Sequence, residues 1–102
     1  MWISVVFDFP SVTAADRKSY RCMRKKLLSA GFIQVQKSLL WRWAENKEFA
    51  DALVKKLKKS LPDTGNIIFF YIPDTAFKHT LHTIDGKVCL PPSPPDPWII
   101  LS

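Results

Sequence analysis

The chain is poor in glycine, cysteine and acid, and each shortage removes a class of function. Three glycines in 102 residues build no glycine-rich phosphate loop, which needs several close together. Cys22 and Cys89 are the only cysteines. They read as reduced intracellular thiols, with a single structural disulfide as the alternative. No apolar run approaches the roughly 20 residues that span a bilayer, and no secretory leader is recognisable. A soluble, cytoplasmic protein without a membrane partner is therefore expected. His79 and His82 are spaced i,i+3 but lack a Cys or acid cluster beside them, so they read as surface polar residues. Ser4, Ser11 and Ser38 have no neighbouring His to activate them as nucleophiles. No segment carries the aromatic motif of an RNA-recognition sheet.

Nine acids face fifteen lysines and arginines, leaving a formal charge of +6. That balance favours an anionic partner, nucleic acid ahead of an anionic surface. Apolar residues make up 47%, with four Trp, two Tyr and seven Phe. A single domain of this size buries only about 60–65% of its unfolded surface. So much apolar side chain implies an interface, and a homodimer is the commonest form of one.

The richest stretch is residues 2–24. Residues 3–9 alternate as a strand, with Ile3, Val5, Phe7 and Phe9 on one face and Trp2, Ser4, Val6 and Asp8 on the other. Pro10, which has no N–H for a ladder, stops it. Thr13 and Asp16 have the spacing of a capping box, and Gly31 suits the end of a helix over residues 14–30. Tyr20, Met23 and Leu27 form the apolar stripe of that helix. Arg17, Lys18, Arg21, Arg24 and Lys25 fall in a neighbouring arc of about 120° that contains no acid. A solvated polar face is the ordinary explanation of such an arc, but five uncompensated cations favour phosphate contact.

Residues 32–43 are β-rich and too long for one strand, so a turn near Lys37-Ser38 should split them. A second helix is expected over residues 47–61, capped by Asn46 and stopped by Pro62. Phe49, Leu53, Leu57 and Leu61 should be its buried stripe, and Asp51 should pair with Lys55. Residues 66–72, NIIFFYI, are apolar on both faces, as in a strand covered on both sides. The second cover is expected from a dimer mate, because the chain looks too short to supply it. Residues 80–90 read as a hairpin closed by Asp85-Gly86.

The expected fold is thus α+β, a ferredoxin-like βαββαβ unit with an additional short C-terminal strand, paired sheet to sheet as a homodimer. Residues 1–90 form the domain. Residues 91–97, with five prolines, make a stiff spacer of roughly 20 Å. Residues 98–102 hold Trp98, Ile99, Ile100 and Leu101, too apolar to hang in water. They are expected to add to a sheet edge of the mate or another partner. The Pro-rich stretch could also be read as a ligand for an SH3-type domain, but the apolar tail gives it something to deliver.

Asp8 alone at a strand end most often caps a loop. Two copies brought together by a two-fold axis would instead offer a carboxylate pair to Mg²⁺, which needs few protein ligands and can activate water against a phosphodiester.

The run FDFP-x-x-TA-x-x-RK-x-YR-x-x-RK-x-LLSAGFI-x-x-Q-x-S, from Phe7 to Ser38, closely resembles the Cas-two family of CRISPR-associated proteins, in the form found beside type II effectors. Gly65-Asn66-Ile67 fits as well. Lys37, where an aromatic is usual, and the Pro-rich spacer depart from the pattern. The resemblance implies a ferredoxin-like homodimer that bridges two dimers of the companion integrase, Cas one, and binds captured double-stranded DNA for insertion as a spacer. It places Asp8 at the family's metal-binding, catalytic aspartate and turns Arg17, Arg21 and Arg24 toward the DNA backbone. It further implies metal-dependent nuclease activity on RNA or duplex DNA. A regulatory module binding a small ligand is the third class, disfavoured by the basic helix.

Overall fold

A strand of alternating apolar residues cannot be stable until both its ladders and its faces find partners. In the computed structural model, which describes residues 1–95, β1 (Trp2–Asp8) lies inside the sheet. It pairs antiparallel with β3 (Leu39–Trp43) on one side and β4 (Asn66–Ile72) on the other. β2 (Ile33–Gln36) completes the order β2-β3-β1-β4. With α1 (Ala14–Ser29) and α2 (Lys47–Lys58) as crossovers, this is the expected ferredoxin-like unit. The turn at Lys37-Ser38 falls where expected, preceded by a bulge between Gln34 and Gln36.

α1 begins with both bonds of its capping box: Thr13 Oγ1 accepts from the Asp16 N–H, and Asp16 Oδ2 accepts from the Thr13 N–H, each at 3.1 Å. It ends in a Schellman turn. Gly31, at φ +93°, donates to the Leu28 carbonyl, and Phe32 donates to that of Leu27. Phe32 and Leu27 are both buried, so the cap doubles as a core contact. Arg42 reinforces this end by donating from Nε to the Ala30 carbonyl and from Nη1 to that of Trp43, both at 2.7 Å.

Helices and sheet share one core of Ile3, Val5, Phe7, Leu40, Met23, Leu27, Ala50 and Leu57. Each large side chain here contributes about 1.5–3 kcal/mol by leaving water. α2 departs from the expected pattern in three ways. It stops at Lys58, before Leu61. Phe49 is 42% exposed, its ring lying 5.2 Å from the Arg42 guanidinium, while Ala50 faces the core. Asp51 pairs with Lys47 at 3.2 Å, not with Lys55.

The opposite face of the sheet corrects another expectation. After β4 comes a one-turn helix, α3 (Asp74–Phe77), whose Phe77 stacks on Trp2 at 4.5 Å and meets Trp41 edge-on at 4.9 Å. The chain therefore supplies part of its own second layer. Among the described residues the cover reaches only one end of the face. Toward the Asp8 end Ile68 and Phe70 remain 52% and 47% exposed, beside half-buried Val6. β5 (His82–Ile84) and β6 (Lys87–Cys89) form the expected hairpin, separate from the main sheet, with Asp85 and Gly86 both at positive φ. Both cysteines are free. The expected strand of Trp98, Ile99, Ile100 and Leu101 lies outside the described residues.

Candidate nucleic-acid interface

The β1–β3 ladder runs only to the Val6–Leu39 pair, with one further bond from the Phe7 N–H to the Ser38 carbonyl at 3.2 Å. Beyond it the chains part, because β1 continues beside β4 to the Asp8–Asn66 pair while β3 has already begun its turn. The gap is a cleft of about 470 Å³ lined by Phe7, Asp8, Phe9, Pro10, Ser11, Arg17, Tyr20, Arg21, Lys37 and Ser38. Phe7, Phe9 and Tyr20 are in mutual aromatic contact, with centroids 5.6–6.4 Å apart. Behind Phe9 sits Gly65, at φ +81°.

Asp8 is exposed, and it is the only acid among the described residues lining the cleft. Arg17 and Arg21 enter from α1, and Lys37 from the β2–β3 turn. Arg17 Nη1 donates to the Ser11 carbonyl at 3.4 Å, and the Tyr20 hydroxyl to the Lys37 carbonyl at 3.2 Å. The structure thus brings Asp8 together with two of the five α1 cations read from the sequence. The other three diverge. Arg24 donates from Nε to Gln34 Oε1 at 2.7 Å, over β2. Lys25 lines a groove between the helices with Lys26 and Lys56. Lys18 is exposed. None of the five takes part in the two ion pairs found among the described residues, Met1–Asp74 and Lys47–Asp51.

Two contributions were missed from sequence. Lys37 belongs to the cleft, and its signal was position alone: it occupies the turn nearest the strand that ends in Asp8. Lys56 faces α1 across the groove, a placement that needs the helix packing. His79 and His82 do not form a ligand pair, since His82 lies edge-on to Trp41 at 5.8 Å and His79 is exposed. Among the described residues no group of three His, Cys, Asp or Glu gathers to hold a metal.

A family model described as CRISPR associated protein Cas2 matches residues 1–80. The chain belongs to the Cas2 family. Proteins named CRISPR-associated endoribonuclease Cas2 resemble it from several bacteria. The Flavobacterium psychrophilum protein is 39% identical over 77 residues, covering 76% of this chain and 67% of that one. The Ligilactobacillus salivarius protein is 32% identical over 87 residues, 85% of each. The crystal structure of Streptococcus pyogenes Cas2 at pH 6.5 superposes with a TM-score of 0.62 at 25% identity, covering 82% of this chain and 99% of that one. The matched residues of this Cas2 chain include the whole Asp8 cleft and all of α1, whereas the β5–β6 hairpin lies beyond the family match.

Proposed function

We propose that this Cas2 chain is a dimeric scaffold of spacer acquisition, bridging two dimers of the companion integrase Cas one and holding captured duplex DNA by its phosphates. The observation that carries this is the face of α1, where Arg17, Lys18, Arg21, Arg24 and Lys25 are exposed and, among the described residues, paired with no acid. Cations spread along a helix suit backbone positioning, which needs charge and no base edge. The open apolar face at Val6, Ile68 and Phe70 supports pairing of two copies. On sequence grounds alone, Trp98, Ile99, Ile100 and Leu101 would contact the mate or the integrase.

A second reading, phosphodiester cleavage, is favoured by the placement of Asp8 in one cleft with Arg17 and Arg21, and by the endoribonuclease name of the relatives. A single exposed carboxylate fits Mg²⁺, an ion that keeps most of its water, and the Asp8 of a mate would supply a second. When bound, the ion would offset phosphate charge and acidify a coordinated water. In this reading Asp8 holds the ion, Arg17 and Arg21 hold the scissile phosphate, and the aromatic wall limits access of bulk water.

In vitro spacer integration, with the companion integrase and wild-type protein, Asp8→Ala or no Cas2, separates the two. The scaffold role requires that integration depend on the protein and survive Asp8→Ala. Loss of integration in Asp8→Ala with the dimer intact would put the metal site into the reaction and displace the scaffold reading. Mg²⁺-dependent cleavage that disappears in Asp8→Ala would add the nuclease role.

A further inference from the structure

We propose that Lys37 is a third phosphate-binding cation of the Asp8 cleft, so that one backbone phosphodiester seats inside the cleft instead of all passing over the outer surface of α1. This rests on the reading of α1 as a phosphate-binding face, and adds a residue from a different element to it.

Three observations carry the inference. First, the cleft has two walls of like charge. Arg17 and Arg21 come from α1, and Lys37 from the turn after the Gln34/Gln36 bulge, a device that re-aims the residues following it. Against them stands one carboxylate, Asp8, so the site as built carries an excess of two positive charges. Such an excess favours an anion even before any metal ion is added.

Second, the Lys37 backbone is fixed while its side chain is not. The Tyr20 hydroxyl holds the Lys37 carbonyl, and the Phe7 N–H holds that of Ser38. Among the described residues the Lys37 ammonium has no hydrogen-bond or ion-pair partner. A positioned stem with an unspent point charge is how lysine meets phosphate.

Third, the cleft has room. Its volume of about 470 Å³ lies within the ~300–1,000 Å³ usual for ligand sites, and Phe9 and Tyr20 offer apolar surface to a sugar beside the phosphate.

Binding of an end-labelled, mixed-sequence DNA duplex, followed by anisotropy across a salt titration, tests this. Lys37→Met should lower the slope of log K against log salt by about 0.9 for each protomer engaged, the value of one phosphate contact, and Lys37→Arg should restore it. Lys87→Met removes the same charge from exposed β6, in the hairpin separate from the main sheet, and should leave the slope unchanged. An unchanged slope in Lys37→Met, alongside a reduced one in Arg17→Met/Arg21→Met, would overturn the role of Lys37 and keep that of α1. Equal reductions in Lys37→Met and Lys87→Met would overturn it too, as an effect of net charge. No change in any of these variants would remove both readings.

Discussion

Gly65→Ala perturbs the cleft from behind, and its effect separates into two parts. Gly65 has φ +81°, a conformation that costs an L-residue about 1–2 kcal/mol. A Cβ there would also lie 2.7, 2.8 and 2.9 Å from three ring carbons of Phe9. Carbon contacts are comfortable at about 3.5–4.0 Å, so the ring must move by up to about 1 Å. A displaced, off-rotamer ring costs about 0.5–1.5 kcal/mol more, for a total of about 1.5–3.5 kcal/mol. Gly86 provides the control, because its φ is +80° and a Cβ there meets nothing within 4 Å. Gly86→Ala should show the backbone cost alone. Urea unfolding at one fixed protomer concentration should give a lower midpoint for Gly65→Ala than for Gly86→Ala, at equal m. Because Phe9 lines the cleft, Gly65→Ala should also weaken duplex binding, whereas Gly86→Ala should not. Equal midpoints and equal binding for the two variants would refute the claim that Gly65 exists to seat Phe9.

Further outcomes are expected elsewhere. The five α1 contacts of each engaged protomer should lower affinity about 500-fold between 50 and 200 mM salt, and only about 40-fold in Arg17→Met/Arg21→Met, with Lys37 adding a further factor of about 3.5 to both; anisotropy titration checks this. Phe70→Glu or Ile68→Glu should shift sedimentation from dimer to monomer, since each puts charge on the open apolar face, and an unchanged dimer would place the interface elsewhere. Burial, then the hydrogen bond to the Asp51 carboxylate, pushes the Tyr71 hydroxyl up to about 12 from an ordinary 10.0. The protonated phenol is thus favoured in the folded state. Its contribution is fully present below pH 10 and is lost as pH rises from about 10 through about 12. Tyr71→Phe should flatten that alkaline loss of stability in pH-dependent urea unfolding.

The sequence disclosed most where a local signal sufficed. Period-two alternation marked β1, the Thr13–Asp16 spacing marked the start of α1, and Asp85-Gly86 marked the hairpin turn. It failed where two placements were locally equivalent. Asp51 is four residues from both Lys47 and Lys55, and only the fold decides between them. Phe49 looked like core by spacing, yet Arg42, arriving from β3, gives its ring another partner and leaves Ala50 to pack inward. α3 was invisible because a single turn has no periodicity, and so the covering of Trp2 and Trp41 by Phe77 was missed. Within the site, Asp8 and the cationic arc were legible. Their division was not: which cations share the cleft with Asp8, and which face α2, depends on the path of the β2–β3 turn.

The placement of β1 between β3 and β4 has a consequence for biosynthesis. β1 is synthesised ahead of both its neighbours, gaining one when residues 39–43 emerge and the other only with residues 66–72. At roughly 5–20 residues per second, the nascent chain carries Ile3, Val5 and Phe7 for several seconds before its central ladder can close. Elongation speed and chaperone supply therefore bear on the yield of this protein more than they would on a fold whose central strand meets its partners at once.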